Sequence, residues 1–242
     1  DDAGGGESLT FNVTAGSGAI NQIAGSAGDT IGVPIILQDA LVVTNNSTNG
    51  LTITGTVTNA ANLLTLTGAS GDITVSGAVT GSGGLTTTGA NDITVNNVGN
   101  AISGDFTLTG NDVTLVNTLA TNLAVSNVGQ DLFVTTNTAG GNITDSGVVT
   151  VGRNASFTTT GDNDDIELST LAVAGKIALT TTSSAANTAH ATIVNATGID
   201  FNASAVDGDL SATATTGNFA QSGALTVMGT SSFVTGATRS NL

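Results

Sequence analysis

The chain has 242 residues, of which 33 are glycine and 44 threonine, with one proline and no cysteine, tryptophan or tyrosine. Three basic residues stand against 18 acidic ones, a net charge of −15. Without cysteine there are no disulfides, thiolate chemistry or Cys-based metal sites, and so acidic a surface would repel nucleic acid and anionic membranes, which excludes both as expected partners.

Mean hydropathy is positive, +0.27. Yet the longest strongly apolar stretch, residues 31–37, includes Gly32 and Pro34 and falls far short of the roughly 20 residues a spanning helix needs. Membrane insertion is not expected. Threonine, valine, isoleucine, asparagine and glycine are poor helix formers, while a 39% hydrophobic fraction is enough for a core. The expectation is an all-β chain.

The first 49 residues are irregular. Leu9-Thr10-Phe11-Asn12-Val13 and Ala40-Leu41-Val42-Val43-Thr44 read as strands, and Pro34, which cannot donate to a ladder, suits an edge or cap. Residues 1–49 therefore read as irregular N-terminal strands or a cap, and 50–242 as a repeat domain.

From Asp72 onward one phrase recurs: Asp72-Ile73-Thr74-Val75, Asp92-Ile93-Thr94-Val95, Asp112-Val113-Thr114-Leu115 and Asp131-Leu132-Phe133-Val134, at steps of 20, 20 and 19. Between these lie Leu64-Thr65-Leu66-Thr67-Gly68, Leu85-Thr86-Thr87-Thr88-Gly89 and Phe106-Thr107-Leu108-Thr109-Gly110, at steps of 21. Alternation of apolar and polar residues is the period of a strand. Two interleaved ladders of one period describe a parallel solenoid, about 20 residues per coil and roughly nine to eleven coils. Ile73, Ile93, Val113 and Leu132 should form one inward column. A longer repeat lies on top: Gly71-Asp72-Ile73 returns as Gly141-Asn142-Ile143 and Gly217-Asn218-Phe219, steps of 70 and 76. No polar cap closes the pattern near Phe233, so the last rung should offer an unpaired parallel edge.

Candidate chemistry is sparse. Gly161-Asp162-Asn163-Asp164-Asp165 gathers three carboxylates in one turn, and Asp162, Asp164 and Asp165 are the candidate calcium ligands. Asp207 and Asp209 add a smaller acidic turn. Asp72, Asp92, Asp112 and Asp131 would stack as like charges unless each caps a backbone amide or shares a cation. Asn97, Asn117 and Asn137, evenly spaced by 20, suggest a side-chain ladder. Thr65/Thr67, Thr86/Thr88 and Thr107/Thr109 form a regular hydroxyl array that also suits ice binding. His190, the only histidine, reads as a surface-loop residue. One histidine, three basic residues and a lack of Trp and Tyr platforms argue against an enzyme, and no cofactor other than calcium is suggested.

These Gly-, Thr-, Asn- and Val-rich rungs, of the form [Asp/Asn]-[Ile/Leu/Phe]-Thr-[Val/Leu] with Gly-ended turns, resemble the β-strand repeats of filamentous-haemagglutinin-like bacterial exoproteins over residues 50–242. The resemblance implies a single-stranded, right-handed parallel β-helix. It also implies a secreted or surface-anchored adhesin or matrix component, extracellular or on the bacterial cell surface, with host, cell-surface or matrix components as partners. The chain lacks the Asn-Pro pairs of that family's secretion domain. A self-assembling filament or sheath subunit stacking end to end on itself is the alternative function.

Overall fold

The structure, a computed structural model, describes residues 6–236. Among them there is no helix; 31 short strands form sheets of 5, 14 and 12 strands. Each strand pairs in parallel with its counterpart one coil away, not with its neighbour in the chain. This is a parallel β-solenoid. Ten coils stack along the 12-stranded sheet, from Asp29–Ile31 to Phe219–Gln221. At an ordinary strand separation of about 4.8 Å that is a rod on the order of 50 Å long.

Alternation decides which side chains face in. In Leu64–Gly68, Leu64 and Leu66 are fully buried while Thr65 and Thr67 stand half-exposed outside. Ile73, Ile93, Val113 and Leu132 pair in register as the expected inward column, each at most 1% exposed. Each such side chain contributes roughly 1.5–3 kcal/mol on burial. The steps between paired residues run from 17 (Phe106 to Leu123) to 26 (Leu9 to Ile35). The strands of residues 9–45 stand on the same ladders, with Gly18–Gln22 under Leu41–Asn45 and Asp29–Ile31 under Leu51–Ile53.

Each full coil has one long strand, usually of five residues, and two short ones. The long strands Leu41–Asn45, Leu64–Gly68 and Leu85–Gly89 lie in the 14-stranded sheet. The next three, Val113–Asn117, Leu132–Thr136 and Ala155–Thr159, lie in the 12-stranded sheet. The last, Ala191–Asn195, Leu210–Ala214 and Ser231–Thr235, return to the 14-stranded one.

The handover has a simple cause. From Leu41 the chain makes three coils and then one extra rung, 106–110, before the next long strand begins at Val113. Phe106–Thr107 pairs with Leu85–Thr86, and Thr109 is held by the Thr87 hydroxyl, which donates to its carbonyl and accepts its N–H, both at 2.9 Å. The second unit does the same. Its extra rung is Lys176–Thr181, on which the two short strands Ile199–Phe201 and Ser204–Val206 then sit. A unit of three coils and one face starts its successor one face further round the rod. That offset is the longer repeat.

Corners between the two short strands carry Ser76-Gly77, Ser146-Gly147 and Ser222-Gly223. Each serine amide donates to the coil below, to Ile53, Leu123 and Phe201 respectively, all at 2.9 Å. A Cβ on any of the three glycines would run into the backbone beneath, at Gly55, Val125 or Ala203. Close approach of coils therefore requires glycine there.

Aromatic side chains are among the last described inward residues. Phe201, Phe219 and Phe233 form a cluster with ring centroids 5.3–6.4 Å apart, and Phe233 is 47% exposed because no described coil lies over it.

Candidate functional site

The side chains singled out by the sequence lie at corners, just before strands. There the backbone amide of each coil needs an acceptor from the coil below. Asp72 Oδ1 accepts the Asp92 amide at 3.0 Å, Asp92 the Asp112 amide at 3.1 Å, and Asp112 the Asp131 amide at 2.8 Å. The series continues as Asp131 Oδ1 to the Asn154 amide at 2.9 Å and Asn154 Oδ1 to the Lys176 amide at 3.0 Å. The acidic column is a staircase of caps, each carboxylate bound to the rung above it.

Repulsion along the staircase is relieved at its upper end. Arg153 donates from Nε to Asp131 Oδ1 at 2.8 Å and from Nη2 to Oδ2, a bidentate pair. The guanidinium, more than any other group, holds the Asp131 carboxyl below its ordinary value, helped by the Asn154 amide and opposed by burial. The carboxylate in turn raises Arg153. Lys176 follows one rung later, paired in register with Asp200. Arg239 lies outside the described residues.

A second staircase climbs another column. Asn142 Oδ1 accepts the Asp165 amide at 2.9 Å, Asp165 Oδ1 the His190 amide at 2.7 Å, His190 Nδ1 the Asp209 amide at 2.8 Å, and Asp209 Oδ1 the Thr230 amide at 2.6 Å. The Thr230 amide and hydroxyl hold the Asp209 carboxyl below its ordinary value. His190, though its side chain is 42% exposed, is a rung of this ladder. The sequence marks it only by its place before Ala191, the start of a strand.

The three candidate calcium ligands take three different partners. Asp162 accepts from the Ser184 amide at 2.6 Å and hydroxyl at 2.9 Å, which lower its carboxyl. Asp164 Oδ1 accepts the Gly140 amide at 2.6 Å, and Asp165 belongs to the staircase. Among the described residues no three His, Cys, Asp or Glu side chains converge as a metal cluster.

The three evenly spaced asparagines do not form a ladder. Asn117 is fully buried, whereas Asn97 and Asn137 are half-buried and bond separately to the Ser76 and Val98 carbonyls. The buried asparagines that correspond to one another are Asn45, Asn117 and Asn195, each closing the first long strand of a unit. The threonines do align: Thr65 with Thr86 and Thr107, Thr67 with Thr88, and on another sheet Thr30, Thr52, Thr74, Thr94 and Thr114. The Thr67 and Thr88 hydroxyls bond to each other at 2.8 Å.

Comparison with known families also divides the chain into three segments. Residues 38–109, 110–172 and 186–242 each match the family described as repeats of unknown function (DUF5649). The chain belongs to this family. Each matched segment contains one of the three buried asparagines near its start. No curated protein and no solved structure matches the chain.

Proposed function

We propose that the chain is a non-catalytic rod, a structural and adhesive segment of a secreted or surface-anchored bacterial protein. The observation that carries this reading is where the side-chain chemistry goes. The acidic caps and the one histidine serve backbone amides of the next coil, and columns of threonine, serine and asparagine cover much of the outside. Such a body offers length and a repetitive hydroxyl-rich surface to host, cell-surface or matrix components. Antibody against the folded chain, applied to intact producing cells, tests the location. Surface labelling that protease shaving removes supports the reading; labelling seen only after permeabilisation overturns it.

A second reading, a filament subunit stacking end to end, is favoured by the in-register parallel stacking of coils within the chain, which a second copy could continue. A head-to-tail contact of this kind does not close and so builds a fibre. The charge of −15 opposes it at low ionic strength, and salt would relieve that. Sedimentation and electron microscopy across a salt series separate the two: growing rods favour the filament, a monomer at every salt concentration the spacer.

A further inference from the structure

Two buried oxygens in one stack of turns lack any hydrogen-bond partner. Asp164 is 1% exposed with Oδ2 unpartnered, and Thr136 is fully buried with Oγ1 unpartnered. They belong to neighbouring coils, Thr136 beside Gly141 and Asp164 beside both Gly141 and Gly161. An added Cβ on Gly141 would lie 2.8 Å from the Thr138 carbonyl oxygen, 2.9 Å from Thr136 Cβ and 3.2 Å from Asp164 Oδ2. One on Gly161 would overlap both Asp164 Oδ2 and the Thr138 carbonyl. Glycine at both places lets Asp164 Oδ2, the Thr138 carbonyl and the Thr136 side chain come close together.

The first unit shows what is missing. There Asn91 stands just before the capping Asp92, as Asp164 stands just before Asp165, and its Nδ2 donates to the Gly68 carbonyl of the coil below at 2.8 Å. In the second unit the turn is one residue longer and the amide is replaced by a carboxylate. Oδ1 still finds a donor, the Gly140 amide. Oδ2 lies close to the Thr138 carbonyl, which has nothing to donate, and burying a carboxylate oxygen without a donor or a counter-charge is costly.

We propose that this turn stack holds a buried monovalent metal cation of the sodium class, bound by Asp164 Oδ2, the Thr138 carbonyl and Thr136 Oγ1. The donors are all hard oxygens, which selects alkali or alkaline-earth ions over zinc or copper. One carboxylate balances one positive charge, whereas a divalent ion would leave one buried positive charge uncompensated. The ion would tie turn 137–142 to turn 160–165.

Thermal unfolding of the whole chain in sodium, potassium, calcium or N-methylglucamine chloride at equal ionic strength tests this. Sodium is expected to raise the midpoint above that in N-methylglucamine, saturably. Asp164→Asn should fold, because its amide can donate to the Thr138 carbonyl as Asn91 does to Gly68, and it should lose the sodium response. Thr136→Val, which removes a ligand without touching charge, should weaken that response. A crystal soaked in thallium(I) should show anomalous density beside Asp164 Oδ2. Equal midpoints in all four salts, a sodium response that survives Asp164→Asn, or a calcium response exceeding that of sodium would each overturn the assignment.

Discussion

The side-chain amide of Asn117 lies on Ile102 as a strand residue would, accepting its N–H at 3.0 Å and donating to its carbonyl at 2.9 Å. Asn195 treats Val173 in the same way, at 2.8 and 3.0 Å. Both pairs stand where a unit has just handed its long strand to another face, so that the column below has no strand directly above it. The amide substitutes for the absent peptide. Asn45, in the first unit, instead donates to the Asn49 and Asp72 carbonyls at 2.8 and 2.9 Å.

Removing one of these amides leaves a buried N–H and a buried carbonyl unmet. Asn117→Ala and Asn195→Ala should each destabilise by about 2–5 kcal/mol. Asn97→Ala and Asn137→Ala, at half-buried positions, should cost under about 1 kcal/mol. Denaturant midpoints at constant slope are the measurement. Equal costs at all four positions would show that the ladder-closing role is misassigned.

Ile93 tests the inward column. It is fully buried between Ile73 and Val113, and neither described basic residue, Arg153 or Lys176, lies on these three coils to meet a new charge. Ile93→Asp should cost about 4 kcal/mol or more and split the rod into two halves. Thr94→Ser, on the outside of the same strand, should change stability by under about 0.5 kcal/mol. Thermal unfolding of both variants checks the contrast.

The ladders were legible because strand alternation and a steady step of about 20 survive in the residues themselves, as in Ile73, Ile93 and Val113. The rotation of the long strand was not. Its cause, the extra rung at 106–110, is spelled Phe-Thr-Leu-Thr-Gly like an ordinary long strand, and only its pairing with both Leu85 and Leu123 shows that it ends a unit. Even spacing also misled. Asn97, Asn117 and Asn137 share a step, but only Asn117 closes a strand on an inward position. The pairing of Asp131 with Arg153 crosses a coil of 22 residues, a step the regular aspartate spacing does not suggest, since Asn154 holds the equivalent place on the next coil.

Acid should act through Asp131. Its folded-state carboxyl lies below the ordinary value of 3.8, so the group contributes stability above its unfolded value, and this is lost as pH falls through the depressed folded one. Asp162 and Asp209 shift the same way and add to the effect. Unfolding midpoints should therefore fall steeply from about pH 4 downward. Asp131→Asn keeps an acceptor for the Asn154 amide but loses the Arg153 pair, so its midpoint should be lower at neutral pH and less sensitive to acid. A variant with the same acid slope as the parent would remove Asp131 from the account.

His190 offers the sharpest test of the staircase, because it is the one rung whose acceptor is a ring nitrogen. The Asp209 amide donates to Nδ1, so the imidazole must present a lone pair there and carry its proton on Nε2. An Asn or Asp side chain fills the equivalent place on the rungs below and above, at Asn142, Asp165 and Asp209. His190→Asn should therefore leave stability within about 0.5 kcal/mol of the parent, since an acceptor oxygen replaces the nitrogen. His190→Ala should cost about 1 kcal/mol and leave the Asp209 amide without its acceptor. Amide hydrogen exchange reads this at one site. Protection at Asp209 should drop in His190→Ala and persist in His190→Asn, while the Asp165 amide, capped by Asn142 one coil below it, should exchange alike in all three proteins. Equal protection at Asp209 in the alanine variant would mean that the histidine merely occupies the corner and that the amide is held some other way.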